Sequence, residues 1–361
     1  MLKIINVVGA RPNFMKVAPI VTAMKRREHE FAPLLVHTGQ HYDTDMSDSF
    51  FRDLDLPAPD IHLGVGSAPR QAQLAAVEER FEPVVAKEKP DWVLVVGDVN
   101  STLACARAAK KLGAKVAHVE AGLRSYDWSM PEETNRVETD RISDLLFTPS
   151  ADADDNLRAE GIPPERIRLV GNVMIDSLYQ HLERSRQSPI REQLGLTDKG
   201  YAVLTLHRPA NVDDPVVFSR ILAALAGISE MLPVVFPVHP RTRKTIASLG
   251  LDESISKMTG LRLIEPLGYL EFLSLYSGAR LVLTDSGGIQ EETTQLGIPC
   301  LTLRENTERP ITVTLGTNKI VGTDTSTIVA AAAVALAETA KQPVSIPLWD
   351  GHTAERILAS L

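Results

Sequence analysis

The chain has 361 residues, 44% of them hydrophobic, and a formal charge of −8. That composition excludes a disordered chain, and the acidic balance argues against a general nucleic-acid binder, which wants a basic face. A small anionic ligand stays open, because a site needs only a few local cations. The two cysteines, Cys105 and Cys300, sit among apolar or small residues and read as buried free thiols of a reducing compartment.

In chain order, MLKIINVVGARP has one lysine and too short an apolar run for a signal peptide. Apolar, β-branched runs follow at 3–9, 31–39, 91–98, 114–122, 144–150 and 167–172. Helical patterns lie between them at 13–28, 68–88, 100–112 and 132–143. A polar stretch, ERSRQSPIREQ (183–193), interrupts the pattern. A second series of runs then occupies 201–208, 232–240, 261–266, 279–285 and 299–304. Continuous apolar runs of this length suit strands buried on both faces of a parallel sheet. The predicted fold is therefore α/β, two Rossmann-like doubly wound domains facing across a cleft. The expected divisions are 1–170, 171–345 and a tail at 346–361 that packs back on the first domain. The longest apolar stretch, IVAAAAVALA (328–337), is about half a membrane span, so a cytoplasmic protein with no membrane partner is expected.

In open parallel sheets, ligands bind at the carboxyl ends of strands. Arg11, His37, Gln40-His41, Asp98, Glu120, His207, His239 and Ser286-Gly287-Gly288 all fall at such ends. Their number predicts one active site between the domains.

The individual stretches point to chemistry with different strength. Arg11 in VVGARPNFMK suits a phosphate or oxyanion, or caps a loop at the surface. Lys16, one turn on, adds charge there or lies solvated. Asp98 ends VLVVGD, where an aspartate is also a common turn residue. Glu120 in HVEAGLRS would be desolvated, with His118 and Arg124 as candidate partners. Glu132 and Glu133 open the helix of MPEETNR, where capping explains one of them. Three acids at element ends are what general acid–base work needs. His207 and Arg208 end a strand in LTLHR, and His239 precedes a basic run in VHPRTRK that reads as a solvated face. No His/Cys/Asp spacing matches a metal site.

Taken in order, GARPNFMK, VVGDVNSTLA, HVEAGLRS, MPEETNR, LTLHR, LTDSGGIQEE and RENTERP closely resemble the non-hydrolysing UDP-N-acetylglucosamine 2-epimerases. The resemblance reaches the tail WDGHTAERI (349–357). It implies the two-domain GT-B architecture, a UDP-sugar substrate, no external cofactor and a homodimer. It also implies interconversion of UDP-GlcNAc and UDP-ManNAc through 2-acetamidoglucal. By motif match, Asp98 and Glu132 are the proton-transfer pair, with Glu120 as support or third acid. Arg11 and His207 stabilise departing UDP, and Ser286, Gly287 and Gly288 hold its diphosphate. Lys16, Arg136, His239, Phe272, Glu292 and Arg309 complete the substrate-binding set.

The chain departs from the family in places. HRPAN stands where a charged pair is usual, and Leu267 replaces a glutamine. Gln40, Arg208 and His239 match a second, activating UDP-GlcNAc site, whereas Tyr42 and Asp43 do not. HYDTDMS and HPRTR are shared with 2-epimerases of UDP-2,3-diacetamido-uronic acids, a rival reading against which the intact TERP speaks. A hydrolysing epimerase and a non-catalytic nucleotide-sugar sensor are further alternatives.

VLTDSGGIQEE (282–292) sets a phosphate-type turn before two glutamates. Glu292 lies six residues from Ser286, roughly 9 Å along the helix. There its carboxylate is expected to accept ribose hydroxyls, as in dinucleotide folds. Glu291 is expected to be a helix-start charge.

Overall fold

The structure, a computed structural model, describes residues 1–40, 53–338 and 345–361, with Arg11 described by its backbone alone. It divides into two compact units, Met1–Gln180 with Pro347–Leu361, and His181–Ile346.

In the first unit seven strands pair in parallel. They are β1 (Leu2–Val8), β2 (Phe31–His37), β3 (Ile61–His62), β4 (Trp92–Val96), β5 (Lys115–Val119), β6 (Leu145–Thr148) and β7 (Ile167–Leu169). Their order is β3-β2-β1-β4-β5-β6-β7. Every residue of β4 is buried, as a strand covered on both faces requires. The chain winds outward from β1 in one direction and from β4 in the other. Loops leaving these two neighbours therefore diverge and open a crevice at their carboxyl ends. Arg11 follows β1, and Asp98 follows β4.

The second unit repeats the plan with β8 (Ala202–Thr205), β9 (Val234–Pro237), β10 (Leu261–Ile264), β11 (Leu281–Thr284), β12 (Cys300–Thr302) and β13 (Asn318–Ile320). Their order is β10-β9-β8-β11-β12-β13, again parallel, with the reversal between β8 and β11. His207 follows one of that pair and Ser286 the other. Leu204, Phe218, Ile221, Phe236, Leu283 and Leu301 share its buried core. The pattern of apolar runs omits β3 and β13, which have two and three residues and no run to read.

Both cysteines are free and buried. Among the described residues no helix is long and apolar enough to cross a membrane. The IVAAAAVALA stretch belongs to the helix Thr325–Ala337, which buries Ile328, Ala331 and Ala332 and packs on the helix Pro215–Met231.

The C-terminal segment is anchored to the first unit at three points. Trp349 is 3% exposed and its indole N–H donates to the Pro149 carbonyl at 2.8 Å. The Asp176 carboxyl accepts the amides of Thr353 and Ala354, at 3.1 and 2.8 Å, satisfying the start of the helix Thr353–Ser360. Gly171, at φ 96°, has no room for a Cβ, which would lie 2.2 Å from the Leu348 carbonyl oxygen. Trp349→Ala is expected to destabilise the protein by about 3–5 kcal/mol, the range for losing a buried aromatic. Trp349→Phe should lose far less; urea unfolding followed by circular dichroism compares them, and equal losses would mean that the indole N–H, not burial, holds the tail.

Candidate active site

At the reversal of the second sheet, Asp285 ends β11 and is wholly buried. Its carboxylate accepts the backbone N–H of His207 at 3.1 Å and of Arg208 at 2.9 Å, and the Asn211 amide at 3.2 Å. The His207 Nδ1 lies 2.7 Å from Asp285 Oδ1. Burial opposes ionisation of Asp285, but the His207 imidazole and the amides outweigh it and hold the carboxyl below its usual range. The His207 side chain is 51% exposed. An Nδ1–H donated to the carboxylate leaves Nε2 facing outward, ready to bind or donate to a ligand.

The helix Gly287–Gln295 starts directly after, with Ser286 in extended conformation at its N-cap. The first amides of such a helix are free for an anion. A Cβ on Gly287 would come within 2.3 Å of an Arg309 guanidinium nitrogen, so glycine is what lets that cation reach the helix start. Arg309 pairs with Glu291 at 2.8 Å and Glu308 at 2.5 Å. Glu308 also draws in Arg304 at 2.9 Å and Arg208 at 3.5 Å. Three guanidiniums thus gather against two carboxylates, a net positive group where the helix dipole is also positive, which favours an anion. Gln290 ties this group to the sheet, accepting from Thr307 at 2.6 Å and Asn318 at 3.0 Å.

Glu292, farther along the helix, is buried. Tyr276 and Tyr269 donate to its two oxygens at 2.8 and 3.2 Å. Burial pushes its carboxyl up to about 7, with Glu291 adding to the rise and the tyrosine hydroxyls opposing it. Burial, and then Glu292, push both tyrosines well above their usual range, so they remain donors. Phe272 packs edge-on against Tyr276, ring centroids 5.2 Å apart.

In the first unit, Asp98 ion-pairs with Arg136 of the helix Pro131–Ile142. Arg136 also contacts Glu133 at 2.6 Å. Glu133 is fully buried and accepts the backbone amides of Ser125 and Tyr126, so it holds the preceding loop. Glu132, half-buried beside it, has no ion-pair partner among the described residues. Asn135 donates to the Asp98 carbonyl at 3.0 Å. Glu120, just beyond β5, has φ 68° and pairs with buried Lys16. Gly97 makes space for that pair: a Cβ there would lie 3.1 Å from Lys16 Nζ.

Three expectations are corrected. His118 and Arg124 do not pair with Glu120; both hold Asp140, at 2.7 Å each. The chain leaves β5 at Glu120, and its left-handed backbone turns the carboxylate toward Lys16 instead. Lys16 is accordingly buried, not solvated. Glu291 is not a helix-start charge in water but a buried partner of Arg309. Of the residues matched to a second nucleotide-sugar site, Gln40 accepts from the Ser101 amide and hydroxyl at 3.0 and 2.8 Å. Exposed His239 caps the helix Pro240–Ser248 by accepting the Arg241 amide, and Arg208 belongs to the arginine group above. His41, Tyr42, Asp43 and the Arg11 side chain lie outside the described residues. Among the described residues no group of three or more His, Cys, Asp or Glu side chains could hold a metal ion. Asp285, Arg304, Glu308, Gln290, Tyr269 and Tyr276 escaped the sequence reading.

Two doubly wound units, with a helix start suited to an anion in one and a set of acids in the other, define a GT-B-like α/β enzyme. A family model described as UDP-N-acetylglucosamine 2-epimerase matches residues 23–361. A UDP-N-acetylglucosamine 2-epimerase of Methanococcus maripaludis is 42% identical over 333 residues, 91% of this chain and 90% of that one. A UDP-2,3-diacetamido-2,3-dideoxy-D-glucuronate 2-epimerase of Pseudomonas aeruginosa is 43% identical over 342 residues, 94% and 93% of the two chains. The crystal structure of the Methanocaldococcus jannaschii UDP-GlcNAc 2-epimerase, in complex with UDP-GlcNAc and UDP, is 40% identical. It superposes with a TM-score of 0.92 over 99% of each chain. The chain belongs to the UDP-N-acetylglucosamine 2-epimerase family and is an isomerase.

The Glu292 carboxyl, near 7 in the fold against 4.5 when exposed, yields a pH prediction. A raised value favours the neutral form, so its contribution to stability is full below about pH 4.5 and declines as pH rises to 7. That interval is worth about 3 kcal/mol. The unfolding free energy of wild type relative to Glu292→Gln should fall by about that amount between pH 4.5 and 7 and then level off. A difference independent of pH would mean that the Glu292 carboxyl titrates alike in the folded and unfolded chain.

Proposed function

We propose that the chain interconverts UDP-N-acetylglucosamine and UDP-N-acetylmannosamine by eliminating UDP and adding it back. The C2 proton of the sugar is poorly acidic, because that carbon has no carbonyl neighbour. In the proposed route a carboxylate takes that proton as the C1–oxygen bond breaks. UDP leaves with the electron pair of that bond, and C1 and C2 become doubly bonded in 2-acetamidoglucal. Return of UDP to C1, with a proton delivered to the other face of C2, gives the epimer. The route is redox-neutral and calls on no external cofactor.

The observation that carries this reading is the constellation at the β8/β11 reversal. A diphosphate-type turn at Ser286–Gly288, an imidazole oriented by Asp285 and the buried Glu292 are what a nucleoside diphosphate leaving group needs. Glu292 keeps acceptor capacity beyond its two tyrosine donors, enough for ribose hydroxyls. Phe272 serves the uracil. Arg309 and His207, with Arg11, stabilise the departing charge. In the first unit Asp98 and Glu132 transfer the protons, and their surroundings differ, one facing Arg136 and the other with no ion-pair partner among the described residues. Lys16-paired Glu120 supports them. The proposed assembly is a homodimer and the proposed compartment the cytoplasm.

The Pseudomonas aeruginosa relative supports a second reading, a UDP-2,3-diacetamido-uronic acid as substrate. Incubation with either UDP-sugar in D2O, followed by NMR, distinguishes the two. UDP-GlcNAc should give UDP-ManNAc, with deuterium at C2 of both epimers. Exchange on the uronic acid alone would support the second reading, accumulation of free ManNAc a hydrolysing enzyme, and no exchange would sink the epimerase reading. Glu292→Gln should weaken UDP binding about tenfold or more, the scale of a hydrogen bond to a charged group. Inorganic diphosphate binding should hardly change; equal losses by calorimetry would refute the ribose role.

A further inference from the structure

Asp98, Glu120 and Glu132 come from three separate stretches: the turn after β4, the turn after β5 and the start of the helix Pro131–Ile142. One buried carboxylate on that helix, Asp140, reaches the other two stretches. Its Oδ1 lies 2.7 Å from His118 Nδ1. The opposite ring nitrogen, Nε2, donates to the Gly97 carbonyl at 2.8 Å, and Gly97 N–H donates to Val119 O at 3.1 Å. Both backbone polar groups of the residue before Asp98 are therefore fixed to β5. Asp140 Oδ2 accepts the Gly122 amide at 3.1 Å, two residues past Glu120, and pairs with Arg124 at 2.7 Å. Arg124 in turn grips Glu160 with two donors, at 2.7 and 2.9 Å.

His118 and Asp140 are fully buried and Arg124 nearly so. Apolar side chains would fill that space without the cost of desolvating charges, so the network is a poor way to gain stability alone. What it does supply is direction. Hydrogen bonds from one carboxylate fix a turn, a loop and a helix at set distances, which apolar packing does less sharply.

We propose that Asp140, acting through His118 and the Gly122 amide, is a positioning residue that sets the mutual geometry of Asp98, Glu120 and Glu132. The proposal rests on the epimerase reading above. None of these contacts belongs to the UDP-holding unit, so the effect falls on proton transfer and spares nucleotide binding. Misplaced acids deliver the second proton late, and the intermediate escapes as free 2-acetamidoglucal with UDP.

The test compares Asp140→Asn, His118→Gln and His118→Asn. Glutamine at 118 can keep a donor for the Gly97 carbonyl, whereas asparagine keeps only the Asp140 side. Asp140→Asn and His118→Asn should lower kcat about 100-fold, the cost of ångström-scale misplacement of reacting groups. KM and the UDP dissociation constant should stay within about threefold, and the share of turnovers releasing 2-acetamidoglucal should rise. His118→Gln should recover much of kcat. If kcat falls only with the folded fraction, if UDP affinity falls equally, or if the two His118 variants are alike, the positioning role is wrong. Should Asp140→Asn fail to fold, the His118 pair carries the test. Absence of C2 exchange in the wild type would instead defeat the epimerase reading itself.

Discussion

A carboxylate removed from water loses several kcal/mol of hydration that only donors or cations can replace. In this protein Asp285, Glu291, Glu292, Glu133 and Asp140 are all removed from water. Each therefore dictates where its donors stand. Asp285 fixes the His207 turn, Glu292 fixes two tyrosines, and Glu133 fixes the loop ahead of Glu132. His207 and Glu132 are more exposed than the carboxylates that fix their surroundings: His207 is half in solvent and Glu132 half-buried. Buried charge thus serves as the frame that sets where these accessible groups stand.

The sheets decide where such frames are built. In each unit the strand order reverses once, and the loops after the two central strands part there. The first unit has Arg11 and Asp98 at that place, the second His207 and Ser286. One topological feature, used twice, places an arginine and an aspartate at strand ends in one unit and a histidine and a helix start in the other.

How much of this the sequence revealed depended on distance along the chain. Strands such as β4 were legible because parallel sheets bury both faces and leave unbroken apolar runs. Asp98, Glu120 and Ser286 were legible because they end such runs. Partnerships were not. Asp285 reaches His207 across 78 residues, and Glu292 meets Tyr276 and Tyr269 across 16 and 23. Nothing local marks those pairs, so Asp285 looked like a strand end and Glu291 like a helix-start charge. The Glu120 partner was misassigned for a related reason: sequence neighbours His118 and Arg124 were nearer in the chain, but a left-handed backbone angle turned the side chain to Lys16.

That angle has a wider consequence. A glutamate at φ 68° is held where L-residues are disfavoured by roughly 1–2 kcal/mol and glycine is not. Glycine at position 120 would relieve that cost but leave buried Lys16 without this carboxylate, a loss of about 3–5 kcal/mol. The ion pair outweighs the backbone cost, so folding stability alone is enough to keep a glutamate at this turn.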